Sequence, residues 1–167
     1  MATMMLGNLL DHAADLERQV ARFYAAVRDT SQDNGVRLLT YYLARHCRHQ
    51  EQGLADLDSE QRRRIRAIEI EHDTPVPAGP ALHGLNLPPD AMADTMTGTM
   101  LIQAAIGYDT QLTDFYRGIL EQPLTDEARR VLETLIRIEE RDIVRLEKML
   151  AMHYFEESES EASVTDH

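Results

Sequence analysis

The sequence has one cysteine, few basic residues and no long apolar run, and each scarcity excludes a class of protein. Cys47 stands alone, so the chain forms no internal disulfide. Its 17 lysines and arginines face 29 acids, a net charge of -12, which leaves no basic surface for nucleic acid or an anionic membrane. No apolar run approaches the roughly 18 residues needed to span a bilayer. Because the N-terminus also lacks a basic leader, the sequence predicts a cytoplasmic protein with no nucleic-acid or membrane partner.

The residues that are present indicate one helical domain. A length of 167 residues with 43% hydrophobic content suits a single domain with a substantial core. Apolar residues recur at three- and four-residue spacing, and no long stretch alternates with period two, so the predicted class is all-α. The predicted domain covers residues 1–154. The acid-rich segment 155–167, with little apolar content, is predicted to be a flexible, solvated tail.

Turn-forming residues divide this domain into two helical hairpins with a long connection between them. The first hairpin is predicted over 1–58 and the second over 98–154. The crossover, 59–97, is rich in proline and is predicted to begin with a short basic helix near residues 59–70. The sequence therefore predicts a hairpin, a crossover and a second hairpin.

The two hairpins look like copies of one another. Aligning Phe23 and Tyr24 with Phe115 and Tyr116 fixes an offset of 92 residues. The same offset, without a gap, pairs Ala13 with Ala105, Gln19 with Gln111, Leu43 with Leu135, Arg45 with Arg137 and Leu54 with Leu146. Unrelated amphipathic hairpins share some leucines and alanines by chance, but an aromatic pair and a loop length kept in register predict an internal duplication.

Each long helix is apolar along one face except near its middle, where polar residues interrupt the stripe. These residues are Glu17, Cys47, Gln50, Asp109, Glu139 and Asp142. Glu17 and Asp109 lie about 15 positions before the turn of their hairpin, and the Cys47/Gln50 and Glu139/Asp142 pairs are centred about 17 positions after it. At about 1.5 Å per residue, all six therefore have similar heights along the helices. The sequence predicts that their side chains meet in one layer of the core.

This arrangement resembles the ferritin-like superfamily and specifically its rubrerythrin-like branch. The likeness includes the paired stretches ERQVARFY (17–24) and DTQLTDFY (109–116). It implies an up-down four-helix bundle in which two glutamates and two Glu-x-x-His motifs hold two metal ions. Carried over position by position, the pattern keeps Glu17 and Glu139 as glutamates, places aspartate at 109, and turns the motifs into Cys47-x-x-Gln50 and Glu139-x-x-Asp142. The resemblance therefore implies a modified, degenerate site without histidine ligands.

The acids of this layer predict a bound cation. Burying several carboxylates together is prohibitive unless they are protonated or share a positive charge. The first hairpin offers only Glu17, an amide and a thiol, so we expect a single metal ion: Fe first, with Mn or Zn as the other candidates. The resemblance implies a homodimer and a non-haem oxidoreductase acting on peroxide or oxygen. Because the chain has no Cys-x-x-Cys, such an enzyme needs an external electron donor.

Other interpretations of the same residues remain open at this stage. In one interpretation, the ancestral di-iron site has lost its ability to bind metal, and the chain is a metal-free scaffold or an interaction protein. Its candidate apolar surface consists of Tyr41, Tyr42, Met92, Met96 and Met100. In another, Cys47 is a peroxidatic thiol, although surrounding acids and an apolar wall would keep that thiol protonated.

Two histidines flank Cys47 and raise the question of helix register. A shifted second helix would let His46-x-x-His49 imitate the missing motif, but it would remove Leu43 and Leu54 from the core face. The register through Leu43, Cys47, Gln50 and Leu54 instead predicts that both histidines lie on the flank.

Overall fold

The computed structural model describes residues 2–72 and 96–164, with most side chains described as far as Met152. Helices dominate, with one small two-stranded sheet, so the predicted all-α class is confirmed. The elements are β1 (Ala2–Met5), α1 (Leu6–Thr30), α2 (Asn34–His46), α3 (His49–Leu54), α4 (Ser59–Arg66), β2 (Glu69–His72), α5 (Gly98–Leu120) and α6 (Asp126–Val164). Across the described ranges, no helix is both long and apolar enough to cross a membrane.

The long helices fold back on one another in two hairpins. Helix α1 packs on α2, and α5 packs on α6, while α2 contacts α5 and α3 contacts α6 across the two hairpins. Side-chain caps fix where helices begin: the Asp33 carboxylate accepts from the amide of Gly35 at 2.8 Å, and the Thr97 hydroxyl accepts from the amide of Met100 at 3.1 Å. These caps hold the hairpin turn before α2 and the start of α5.

The chain breaks its helix in the middle of the second long segment. Helix α2 ends at His46 and α3 begins at His49, because Cys47 has ψ 41° and Arg48 has φ -134°, both outside helical geometry. The thiol of Cys47 donates to the carbonyl of Leu43 at 3.4 Å, which satisfies a carbonyl at the end of α2. The break lies at the height of the predicted polar layer.

The small sheet joins the N-terminus to the segment after α4. Strands β1 and β2 are antiparallel, with Met4 opposite Ile70, and no strand was predicted because four residues are too few to show a period of two. The basic helix predicted near residues 59–70 is present as α4 but ends at Arg66, and Glu69 and Ile70 belong to β2. Helix α4 lies so close to α1 that a Cβ at Gly7 would be 2.8 Å from the Cβ of Arg66.

Burial repeats with the offset found in the sequence. Helices α2 and α6 begin 92 residues apart, at Asn34 and Asp126. The following pairs are buried in both members: Leu9 and Leu101, Ala13 and Ala105, Glu17 and Asp109, Val20 and Leu112, Tyr24 and Tyr116, Val27 and Ile119, Val36 and Ala128, Leu43 and Leu135, and Gln50 and Asp142. Both hairpins therefore use one packing pattern.

Two predicted segments, the crossover and the C-terminal tail, lie largely outside the residues or side chains that the structure describes. Most of the crossover, including Met92, lies outside the described residues. Helix α6 continues to Val164 and so enters the segment 155–167, where the sequence predicted a flexible tail. The side chains of that segment are also outside the described part.

Candidate functional site

Five of the six polar residues singled out in the sequence are buried. The exposed fraction is 0% for Glu139, 4% for Glu17, 6% for Gln50, and 7% for Asp109 and Asp142. They come from four helices, namely α1, α3, α5 and α6, and Cys47 at the break is half-buried. The middle of the core is therefore polar, although the helices around it are apolar.

A small cavity lies beside this layer, and its volume open to the centre of a water molecule is about 20 Å³. Its lining consists of Glu17, Val20, Tyr24, Tyr42, Leu43, His46, Cys47, Ala105, Tyr108, Asp109, Asp142 and Leu146. Three of these side chains are carboxylates, and none is lysine or arginine. Gln50 and Glu139 do not line it.

Gln50 has a structural hydrogen bond. Its Nε2 donates to the backbone carbonyl of Leu10 at 2.6 Å, which ties α3 to α1. A buried amide bonded to a main-chain group is ordinarily part of the packing, because a polar group left unpaired in the core is costly. Gln50 therefore holds the broken second helix in place.

Asp142 has an arginine and a histidine as neighbours. Its Oδ1 lies 3.8 Å from Nη1 of Arg145 and 3.7 Å from Nδ1 of His46. The ring of His46 also lies against Tyr42, with centroids 4.4 Å apart. His46 is the last residue of α2, before the break; its side chain is 32% exposed and lines the cavity, so it lies at the edge of the polar layer, within reach of Asp142. The side chain of His49 lies outside the described residues.

The thiol and two phenols of the layer are held in their neutral forms. Burial raises the pKa of Cys47, and the charges of Glu17, Asp109, Glu139 and Asp142 raise it further. Burial likewise raises the pKa of Tyr24 and of Tyr116. At neutral pH the thiol is therefore a hydrogen-bond donor and a poor nucleophile, which argues against the peroxidatic interpretation of Cys47.

Tyr108 is a member of this region that sequence reasoning missed. Its side chain is 2% exposed, and its hydroxyl has no hydrogen-bond partner among the described residues. Burial raises the pKa of Tyr108, and the charges of Glu17 and Cys47 add to the rise. In the sequence, the offset of 92 residues pairs Tyr108 with the apolar residue Leu16. This pairing was the available signal that Tyr108 faces the core.

The distances between the acids, histidines and cysteine of the layer decide whether they can bind a metal ion in the present structure. Within the ranges that the structure describes, no three side chains of His, Cys, Asp or Glu are close enough together to hold a metal ion. The two-metal centre that the resemblance implies does not fit, since Gln50 bonds to Leu10 and Asp142 faces Arg145 and His46. An ion could bind only after carboxylates turn toward one another.

Comparisons with protein-family models, with curated proteins and with solved structures give no match for this chain. Its function must therefore be argued from the buried layer.

Proposed function

We propose that the chain is a rubrerythrin-like, ferritin-like up-down four-helix bundle whose core layer takes up one divalent cation through Glu17, Asp109 and Glu139. The fold part rests on the two hairpins with the same burial pattern and on the long connection between them. The cation part rests on one observation. Three carboxylates from three different helices are each less than 8% exposed, and the cavity beside them has no lysine or arginine in its lining.

The electrostatic cost of burying three carboxylates together favours a bound cation. Removing a carboxylate from water costs several kcal/mol, and carboxylates gathered in one core repel one another as well. Arg145 and His46 approach Asp142, the fourth carboxylate of the layer. A divalent ion bound by the other three would offset part of their negative charge. Its binding requires at least one of these side chains to turn, because their present spacing is too wide.

The donor chemistry narrows the choice of metal. Three carboxylates favour hard or borderline ions, so Fe(II) is the first candidate and Mn(II) or Zn(II) the alternatives. Cys47 would join them only if the ion displaced the thiol proton, because burial and nearby acids hold the thiol neutral. A bound iron would supply one-electron chemistry toward peroxide or oxygen, with electrons from an external donor. We expect no two-metal peroxide reduction, since two of the six inherited positions are engaged elsewhere.

A second candidate is a metal-free scaffold or interaction protein, and the wide spacing of the layer favours it. This candidate also has a surface to use: on α2, Leu38 is 72% exposed and Tyr41 is 51% exposed. The guanidinium of Arg45 lies over the Tyr41 ring at 5.8 Å, which leaves a mixed apolar and cationic stripe. Met96 is buried and so does not add to that surface. A homodimer through this stripe stays a proposal.

Metal titration separates the two candidates. Protein stripped with EDTA and titrated anaerobically with Fe(II), Mn(II) or Zn(II) is expected to bind about one equivalent, measured by calorimetry and elemental analysis. The variant Glu139→Gln should lose this binding, whereas Glu133→Gln, which changes an exposed acid of the same helix, should keep it. No binding by the unmodified protein would establish the scaffold, and two equivalents per chain would contradict a single site.

A further inference from the structure

The hydroxyl of Tyr108 stands out because it is buried and has no protein partner among the described residues. Nearly all buried polar side-chain atoms in folded proteins bond to protein or to ordered water, so each exception calls for a physical cause. The phenol lies on α5 and lines the cavity beside the polar layer. A ligand in that cavity would supply the missing partner.

The cavity has the size and the chemistry for one small molecule. About 20 Å³ is open to the centre of a water molecule, whereas one water requires roughly 10–15 Å³ measured in that way. Cavities lined only by aliphatic side chains stay dry, but this one also has Glu17 and Asp109 in its wall. Carboxylate oxygens each have more than one acceptor position, so they can accept from a guest besides their other contacts.

The hydroxyl is not required by packing alone. The equivalent residue of the first hairpin at the offset of 92 is Leu16, which is buried without any polar group. The charge of Glu17 acts on the Tyr108 phenol and contributes to its raised pKa, yet the hydroxyl donates to no protein atom within the described part of the chain. The two groups are near one another but not bonded, which leaves a gap between them.

We infer that this cavity is a binding site for one neutral, water-sized hydrogen-bonding molecule, which is water in the resting protein. The guest accepts a hydrogen bond from the Tyr108 hydroxyl and donates to the carboxylates of Glu17 and Asp109. Because its lining leaves room for little more than one water, the site selects against larger guests. This inference does not need the proposed cation, and both tests use EDTA-treated protein.

The direction in which Tyr108→Phe changes the melting temperature tests for a bound guest. If a guest bonds to the hydroxyl, Tyr108→Phe removes that bond and lowers the melting temperature by about 2–4 °C for a chain of this length. If the hydroxyl has no partner, the same change removes a buried unpaired group and raises the melting temperature. The matched control is Tyr42→Phe, a half-buried tyrosine of the same cavity wall, which should change little. An unchanged or higher melting temperature for Tyr108→Phe overturns the inference.

A direct measurement accompanies the melts. The methyl group of Ala105 lines the same cavity, so in the unmodified protein it should show magnetisation transfer from a long-lived water in NMR spectra. Tyr108→Phe should weaken or abolish that transfer, while Tyr42→Phe should leave it. Absence of the transfer in the unmodified protein would show a dry cavity and overturn the inference, whatever the metal titration gives.

Discussion

The two hairpins share one packing pattern but differ in the polar groups they bury. The first hairpin supplies one carboxylate, Glu17, beside the thiol of Cys47 and the amide of Gln50, whereas the second supplies three carboxylates. Apolar positions 92 residues apart are buried in both hairpins, so the packing pattern is the same in the two hairpins while the chemistry of the layer is not. The second hairpin therefore contributes three of the four buried carboxylates of the layer.

The backbones differ at the same height. The second helix of the first hairpin breaks at Cys47 and Arg48, whereas α6 runs without interruption past Glu139 and Asp142. On either side of the break, His46 lies near Asp142 and Gln50 donates to the Leu10 carbonyl. Cys47 and Gln50 of the first hairpin therefore bond to main-chain carbonyls, whereas the second hairpin has carboxylates at the equivalent positions, Glu139 and Asp142.

The largest expected difference between the hairpins lies in a matched pair of core leucines. Leu135→Ala should cost about 2–5 kcal/mol of the free energy of unfolding, the usual range for a buried leucine. The matched change Leu43→Ala should cost less, because Leu135 is fully buried and also packs against α3, where a Cβ at Gly53 would be 2.6 Å from its Cδ2. Urea unfolding at pH 7 measures both, and equal or reversed costs would contradict this asymmetry.

The apolar pattern explains which parts of the layer could be predicted from sequence. Glu17, Asp109, Glu139 and Asp142 interrupt helical stripes, and a residue on a core-facing stripe is buried whatever its polarity, so its burial follows from spacing. Tyr108 was missed for the opposite reason, since a tyrosine in a stripe is typical of an apolar core and nothing in the sequence reveals whether its hydroxyl has a partner.

The helix break and the sheet could not be predicted from local sequence. No proline or glycine occurs at Cys47 or Arg48, so the usual signals of a helix end are absent there. A continuous second helix was expected from the sequence, and that expectation fails at the break. Strand β1 forms only because β2, some 65 residues later, provides its hydrogen-bond partners, and a pairing over that distance leaves no local pattern.

A smaller effect is expected from pH at Cys47, which faces the acids of the second hairpin. Its folded-state pKa is raised, so its stabilising contribution is complete below the unfolded pKa of roughly 8.5 and is lost as pH rises toward the folded value. Between pH 7.5 and 9.5 the unmodified protein should lose roughly 1 kcal/mol more stability than Cys47→Ala. Urea unfolding at both pH values measures this difference. Identical losses would show that the thiol does not lie among buried acids.

The smallest expected effect concerns a charge pair between Asp11 of the first hairpin and Arg66 of the crossover. Arg66 donates two hydrogen bonds to Asp11, at 2.8 and 2.7 Å, and joins α4 to α1, whereas the equivalent residue of the second hairpin is the uncharged Gln103. Both partners are largely exposed, so Asp11→Asn should cost only about 0.2–1 kcal/mol at pH 7.

The hydrogen bonds from Arg66 lower the pKa of Asp11, so the contribution of this pair is present above the unfolded pKa of roughly 4 and is lost as pH falls through the folded value. The stability gap between the unmodified protein and Asp11→Asn should therefore narrow from pH 6 to pH 3, while Gln103→Ala shows no such trend. Salt should narrow the gap at pH 6 as well, because exposed charges are screened. A gap that is insensitive to both pH and salt would mean that Asp11 stabilises the first hairpin by packing and not by its charge.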